Sequence, residues 1–150
     1  MGKPNLVLSL AAAASGVAVL VSACAPPAAL ANANLTVRCA ETLVPNASAV
    51  TNGGVVGTGH CTMTGQLHDS GRTTDYRTAN AVTIRIRRVI AFAKGTITFA
   101  IAIPLVGGGG ERWTVTSATR TYTNLRGRGY EIVDDWADSP ATFVLKGTIS

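Results

Sequence analysis

Aromatic residues make up only 5% of this 150-residue chain, and histidine occurs twice. A core built from it must therefore rest on Val, Ile, Leu and Ala. Grooves that bind nucleic-acid strands interleave aromatics with a basic stripe, and the aromatics here are too few. A nucleic-acid partner is accordingly not expected. Metal sites need three or four converging ligands. His60 alternates to the face opposite Cys61, so the two cannot share an ion from one strand. No metal or cofactor is assigned. The G-x-S-x-G motif is missing, and His68-Asp69-Ser70 lie in one tight turn, where they cannot aim one another as a triad. The Gly107–Gly110 run precedes no Lys-Ser or Lys-Thr, so it reads as a hairpin tip and not a phosphate loop. Asp134, Asp135 and Asp138 lack the glycine and bidentate Glu of a calcium loop, and read as a solvated acidic stretch.

The opening residues have a character of their own. A short stretch with one cation, Lys3, is followed by an apolar run over 6–21. This is the layout of a secretory signal. The run is slightly short for a spanning helix, and Pro26 and Pro27 follow it. Two processing sites compete. Val21-Ser22-Ala23-Cys24 resembles a bacterial lipobox, which would make Cys24 a lipid-bearing anchor with APPAALA as tether. Ala29-Leu30-Ala31 is an A-x-A site, with cleavage before Asn32. Residues 1–31 are thus read as a leader, with or without a tether, and 32–150 as the domain. The formal charge of +5 falls to +4 without Lys3, a mild attraction to anionic surfaces. With Cys24 in the leader, Cys39 and Cys61 remain as an even pair in an exported chain, which favours a disulfide.

From Asn34 onward the periodicity is two. Leu35, Val37 and Cys39 alternate with polar neighbours, as in a half-buried strand. Asn52-Gly53-Gly54 is a strong turn signal. The next strand, 55–67, is rich in Gly and Thr, and Gly57, Gly59 and Gly65 suggest bulges or curvature. A hairpin centred near residue 50 sets Cys39 opposite Cys61. His68-Asp69-Ser70-Gly71 reads as a turn, 72–78 as a third strand and 81–92 as a fourth. In the fourth, Val82, Ile84 and Ile86 oppose Arg85 and Arg87. The phase slips at Arg87-Arg88, because Val89 and Ile90 are both apolar, and a bulge is expected there. Residues 96–103 form a strand with an apolar residue at every second place and small residues between, suited to cover on both sides. The stretch 111–130 reads as strand, one helical turn, strand. Trp113, Val115 and Ser117 share a face, and Tyr122 and Leu125 fold back to plug an end. Strands over 130–133 and 141–149 complete the count. Eight short strands with turn signals and curvature glycines indicate an all-β fold, a single eight-stranded antiparallel β-barrel.

GTITFAIAI followed by RWTVTSATRTYTNLRGRG resembles the second half of the allene oxide cyclase and dirigent barrel superfamily. The resemblance is closest to small exported bacterial members. It covers about a quarter of the chain, from Lys94 to about Tyr130. Its most specific residues are Trp113, Ser117, Thr119, Tyr122, Leu125 and Gly127, with Ala118 and Arg120 where the family has glycines. It implies an eight-stranded barrel, and no catalytic residue is carried over from it.

An eight-stranded barrel has room for packed side chains or one small ligand. Glu41, Asp75 and Glu131 are the acids inside the expected strands. One that faced the lumen would be desolvated and should find an arginine, Arg85 or Arg77. With Tyr122, these residues (Glu41, Asp75, Arg85, Tyr122, Glu131) form the candidate pocket. The leading expectation is an exported, non-catalytic barrel that binds a small apolar molecule or a cell-envelope partner. The alternative is a shape-driven isomerase or cyclase of the allene oxide cyclase or spirotetronate cyclase kind, where holding a reactive conformer supplies much of the rate. A structural surface lipoprotein needs no pocket at all. An open lumen of about 300 Å³ is the usual lower end for ligand binding.

Overall fold

The computed structural model describes residues 33–135 and 140–150. The expected leader, with Cys24, lies outside them, and so does the lipid-anchor expectation. The acidic stretch at Asp134, Asp135 and Asp138 falls at or beyond the edge of the described residues.

Eight strands run in chain order: β1 (Ala33–Leu43), β2 (Gly54–Gly65), β3 (Asp69–Ala79), β4 (Thr83–Phe92), β5 (Gly95–Pro104), β6 (Arg112–Ala118), β7 (Gly127–Asp135) and β8 (Ala141–Ile149). Each pairs antiparallel with its neighbours, and β8 returns to β1 to close the barrel. Closure leaves no sheet edge among the described strands. The β1–β8 seam runs from Ala33 opposite Ile149 to Glu41 opposite Ala141. The β6–β7 seam is the short one, with register pairs only from Arg112–Tyr130 to Thr114–Arg128.

Alternation sends one face of every strand inward. Leu35, Val37, Ile90, Ile97, Phe99, Ile101, Phe143 and Leu145 fill the interior together with Trp113. The Trp113 ring stands edge-on to Phe99, with centroids 5.4 Å apart. It lies across two facing glycines, Gly129 of β7 and Gly147 of β8. A Cβ at Gly147 would come within 2.6 Å of the indole, and one at Gly129 within 2.7 Å. The indole N–H donates to the carbonyls of Tyr130 (3.1 Å) and Lys146 (3.2 Å). The missing side chains on two strands are thus replaced by one large ring from a third.

Cys39 and Cys61 are direct register partners and form a disulfide, as the hairpin centre required. Both are fully buried, whereas His60 faces outward. The lower end of the barrel, where β2 ends and β3 begins, is closed by a 3₁₀ turn, Arg120–Tyr122, and by Leu125. Tyr122 packs edge-on against Phe92 at 5.9 Å, and its hydroxyl donates to Asp69 at 2.6 Å. Slight burial works against ionisation of Asp69, but the bonds from Tyr122 and the Lys94 amide hold its carboxyl below the ordinary range. Burial, then the bond to Asp69, pushes the Tyr122 phenol up.

Four local expectations change. No bulge interrupts β4, whose register with β3 and with β5 is continuous through Arg87 and Arg88. The bulge in β2 falls between Val55 and Gly57. Ser117 does not share the Trp113 face. A register shift opposite Thr98–Phe99 turns Ser117 outward and brings Ala118 against the core. The turn expected at 68–71 occurs earlier, since β3 already begins at Asp69. Gly65 adopts φ +118, and Gly71 lies in a strand whose partner leaves no room for a Cβ: the Ala91 carbonyl would be 2.1 Å away. The outer face of β5 is half-covered at Thr98 and Ala100 and open at Ala102.

Candidate functional site

The described side chains pack the lower half of the lumen and leave space in the upper half. Between the upper ends of the strands lies a cavity of about 270 Å³. Leu43, Val56, Ile84, Ile86, Ile103 and Phe143 give it apolar walls, and Ala47 and Ser48 of the β1–β2 connection stand at its mouth. Its floor and side carry Asp75, Arg88, Glu111 and Glu131, with Arg77 on the wall.

Arg88 is the centre of this group. It is 1% exposed, at an inward place of β4 between Ile86 and Ile90. Three carboxyls from three other strands meet it. Asp75, its cross-strand partner on β3, accepts from Nε at 3.0 Å and from Nη2 at 2.8 Å. Glu131 of β7 accepts from Nη1. Glu41 of β1 brings Oε1 to 3.0 Å from Nε. The guanidinium also lies over the Phe143 ring, 4.7 Å from its centroid. Planar, fork-shaped and resistant to deprotonation, arginine suits such multidentate burial as lysine does not. Burial disfavours its charge, but Asp75, Glu131 and Glu41 outweigh that and hold its proton more firmly than usual.

Carboxyls exceed cations here, and protons make up the difference. Burial pushes the Glu41 carboxyl up to about 8. Arg88 pulls it down, and Asp75 and Glu131 push it further up. The single Nε hydrogen is directed at Asp75, so both Glu41 oxygens lack a donor among the described residues. A Glu41 that keeps its proton resolves this, because it becomes a donor itself and Asp75 is the acceptor it faces. Burial likewise pushes Glu131 up to about 7, Arg88 opposing and a carboxyl–carboxyl hydrogen bond with Glu111 assisting. Glu111 directly precedes β6, and its carbonyl accepts from the Glu131 amide at 3.0 Å, which fixes the two acids side by side. Among the described residues Glu111 Oε2 is buried without a partner.

The acids expected to matter, Glu41, Asp75 and Glu131, do converge. The arginine they meet is Arg88 and not Arg85, which lies on the outer face of β4. Arg77 lines the cavity, and Tyr122 closes the opposite end of the barrel and takes no part in the pocket. The signal for Arg88 was present in Ile84-x-Ile86-x-Arg88-x-Ile90-x-Phe92: an unbroken alternation with a cation at one inward place. Glu111 carried no signal of its own, since it lies outside the strands.

Cys39, Glu41 and Cys61 are close enough together to suggest a metal site. The two sulfurs are bonded to each other, however, and a metal takes thiolates. On the outside the balance is reversed. Ten lysines and arginines of the described residues are exposed, among them Arg38, Arg72, Arg112, Arg128 and Lys146. Glu41, Asp75, Glu111 and Glu131 lie within the lumen group, and Asp69 lies at the lower end. The chain thus belongs to the class of closed eight-stranded antiparallel barrels, with a half-open lumen and a buried ion cluster beneath the opening. No protein-family model, no curated protein and no solved structure matches it.

Proposed function

We propose that this barrel binds one small, largely apolar molecule in its upper lumen. The observation that carries the reading is a mainly apolar cavity of about 270 Å³ lying directly above a buried ion cluster. Apolar pockets with a few convergent polar groups are the usual form of small-molecule sites, and this volume is close to their lower bound of about 300 Å³. The apolar walls supply affinity, and the floor orients one polar group. Binding of N-phenyl-1-naphthylamine, followed by fluorescence, tests it. Saturation at one site is expected, and Ile86→Trp, which fills the cavity, should abolish it with the fold intact. Absence of binding by the native protein, or unchanged binding in Ile86→Trp, rejects the reading.

A second reading is an isomerase or cyclase working on a flexible apolar substrate. Glu131 supports it, as a cavity acid pushed up to about 7, where a group both gives and takes protons readily at neutral pH. On this reading Glu131→Gln abolishes turnover of cyclisable polyene epoxides while dye binding survives.

Export accords with the cystine, since disulfides persist in oxidising compartments. The mature chain would then begin at a lipidated Cys24 or at Asn32, and a cell-envelope partner or structural role would follow from that address. Mass spectrometry of the membrane fraction distinguishes the two starts, and an intact Met1 terminus rejects export by either route.

A further inference from the structure

We infer that the cavity takes an apolar amine, its ammonium group seated between Glu111 and Glu131. This rests on the binding reading above and names its ligand class. Arg88 is poorly placed to receive an anionic ligand. Each of its nitrogens already donates to a carboxyl, Asp75 or Glu131, and Glu41 is in contact, so its charge is met by three acids. What remains open toward the cavity is acceptor capacity. Glu111 Oε2 is buried without a partner among the described residues, and Glu111 and Glu131 both line the cavity. An ammonium has three donors and no acceptor, which matches a site of unfilled carboxyl oxygens. The apolar walls receive the rest of the ligand.

The charge balance supports the exchange. Below about pH 7 Glu131 keeps its proton, and an ammonium that takes its place brings one positive charge as one proton leaves to solvent. The buried cluster therefore gains no net charge when the amine enters, whereas an anion would add one and be repelled. Glu131 faces Arg88 of β4, Asp75 of β3, Glu41 of β1 and Glu111 ahead of β6, and Arg77 of β3 stands on the same cavity wall. Because Glu131 is pushed up to about 7, amine binding competes with protons below that pH and not above it.

Titration calorimetry with octylamine, octan-1-ol and octanoate, at about pH 6 and about pH 8 and in buffers of differing ionisation enthalpy, tests the assignment. At about pH 8 octylamine should bind roughly tenfold or more tighter than octanol, a difference of about 1.4 kcal/mol. At about pH 6 its affinity should fall by roughly tenfold, with about one proton released per amine bound. Glu111→Gln and Glu131→Gln should each lower the affinity for octylamine roughly tenfold, toward that of octanol for the native barrel. Glu111, half-buried at the cavity side, carries the test should Glu131→Gln not fold. Octanol binding as tightly as octylamine, or octanoate binding tightest, overturns the amine assignment and leaves the binding reading standing. If none of the three binds, the binding reading itself fails and this inference fails with it.

Discussion

Asp75 and Arg88 are direct partners across the β3–β4 ladder, both on the inward face, and their side chains join through two nitrogens of the guanidinium at 3.0 and 2.8 Å. The pair forms the base of the cavity and the point to which Glu41 and Glu131 are drawn. Its removal should therefore be felt by four strands together.

Arg88→Met is expected to destabilise the barrel by about 3 kcal/mol near pH 8, the usual cost of leaving buried charges without a partner. Near pH 5 the loss should be smaller, because carboxyls without their cation can be buried as neutral acids. Urea unfolding at the two pH values measures both. An equal loss at each pH would mean that the packing of the Arg88 stem, and not its charge, supports the fold.

Stability should fall between mildly acidic and mildly basic pH. Glu41 and Glu131 ordinarily titrate near 4.5, but in the fold they titrate near 8 and 7. The native state keeps protons that the unfolded chain has given up, so their contribution is whole below about 4.5 and is lost as pH rises through 7 and 8. Asp69 acts in the opposite sense, but only in the acid range beneath its ordinary value. Glu41→Gln retains a donor toward Asp75 and has no proton to lose. Its urea midpoint should therefore vary less with pH, and at about pH 9 should exceed that of the native chain.

The Cys39–Cys61 bridge spans 22 positions in sequence, and a loop of that length stabilises by about 3 kcal/mol when closed. Cys39→Ser with Cys61→Ser should lower stability by roughly that amount. Because both sulfurs are buried, dithiothreitol followed by alkylation should modify them only slowly in the native barrel and rapidly in urea. Fast modification under native conditions would contradict the burial.

Gly147→Ala should destabilise by about 1–3 kcal/mol or more, since the new methyl meets both the Trp113 ring and the Arg128 carbonyl, the latter at 2.2 Å. Trp113→Ala should cost about 3–5 kcal/mol through the cavity it leaves. Chemical denaturation followed by circular dichroism reads both. A neutral Gly147→Ala would show that the indole can move aside.

Several features were legible in the chain without coordinates. Alternation from Leu35 to Ile149 dictates strands, because a period of two has a single buried face only in an extended backbone. The hairpin about residue 50 sets the Cys39–Cys61 register, and the change in pattern after Ala118 marks the turn that brings Tyr122 and Leu125 to the barrel end. Each of these depends on residues near one another in sequence. The cluster was only half visible. Glu41, Asp75 and Glu131 stood out as acids within strands, but Arg87-Arg88 looked like a break in phase, since burying one cation is costly when its partners are not in view. Those partners lie on β1, β3 and β7, and closure of the sheet alone brings them to Arg88. The division of the lumen is likewise tertiary. Trp113 and the lower-end plug fill one half, while among the described residues no side chain of comparable size reaches the other, and the shapes these contribute leave the space above the ion cluster open.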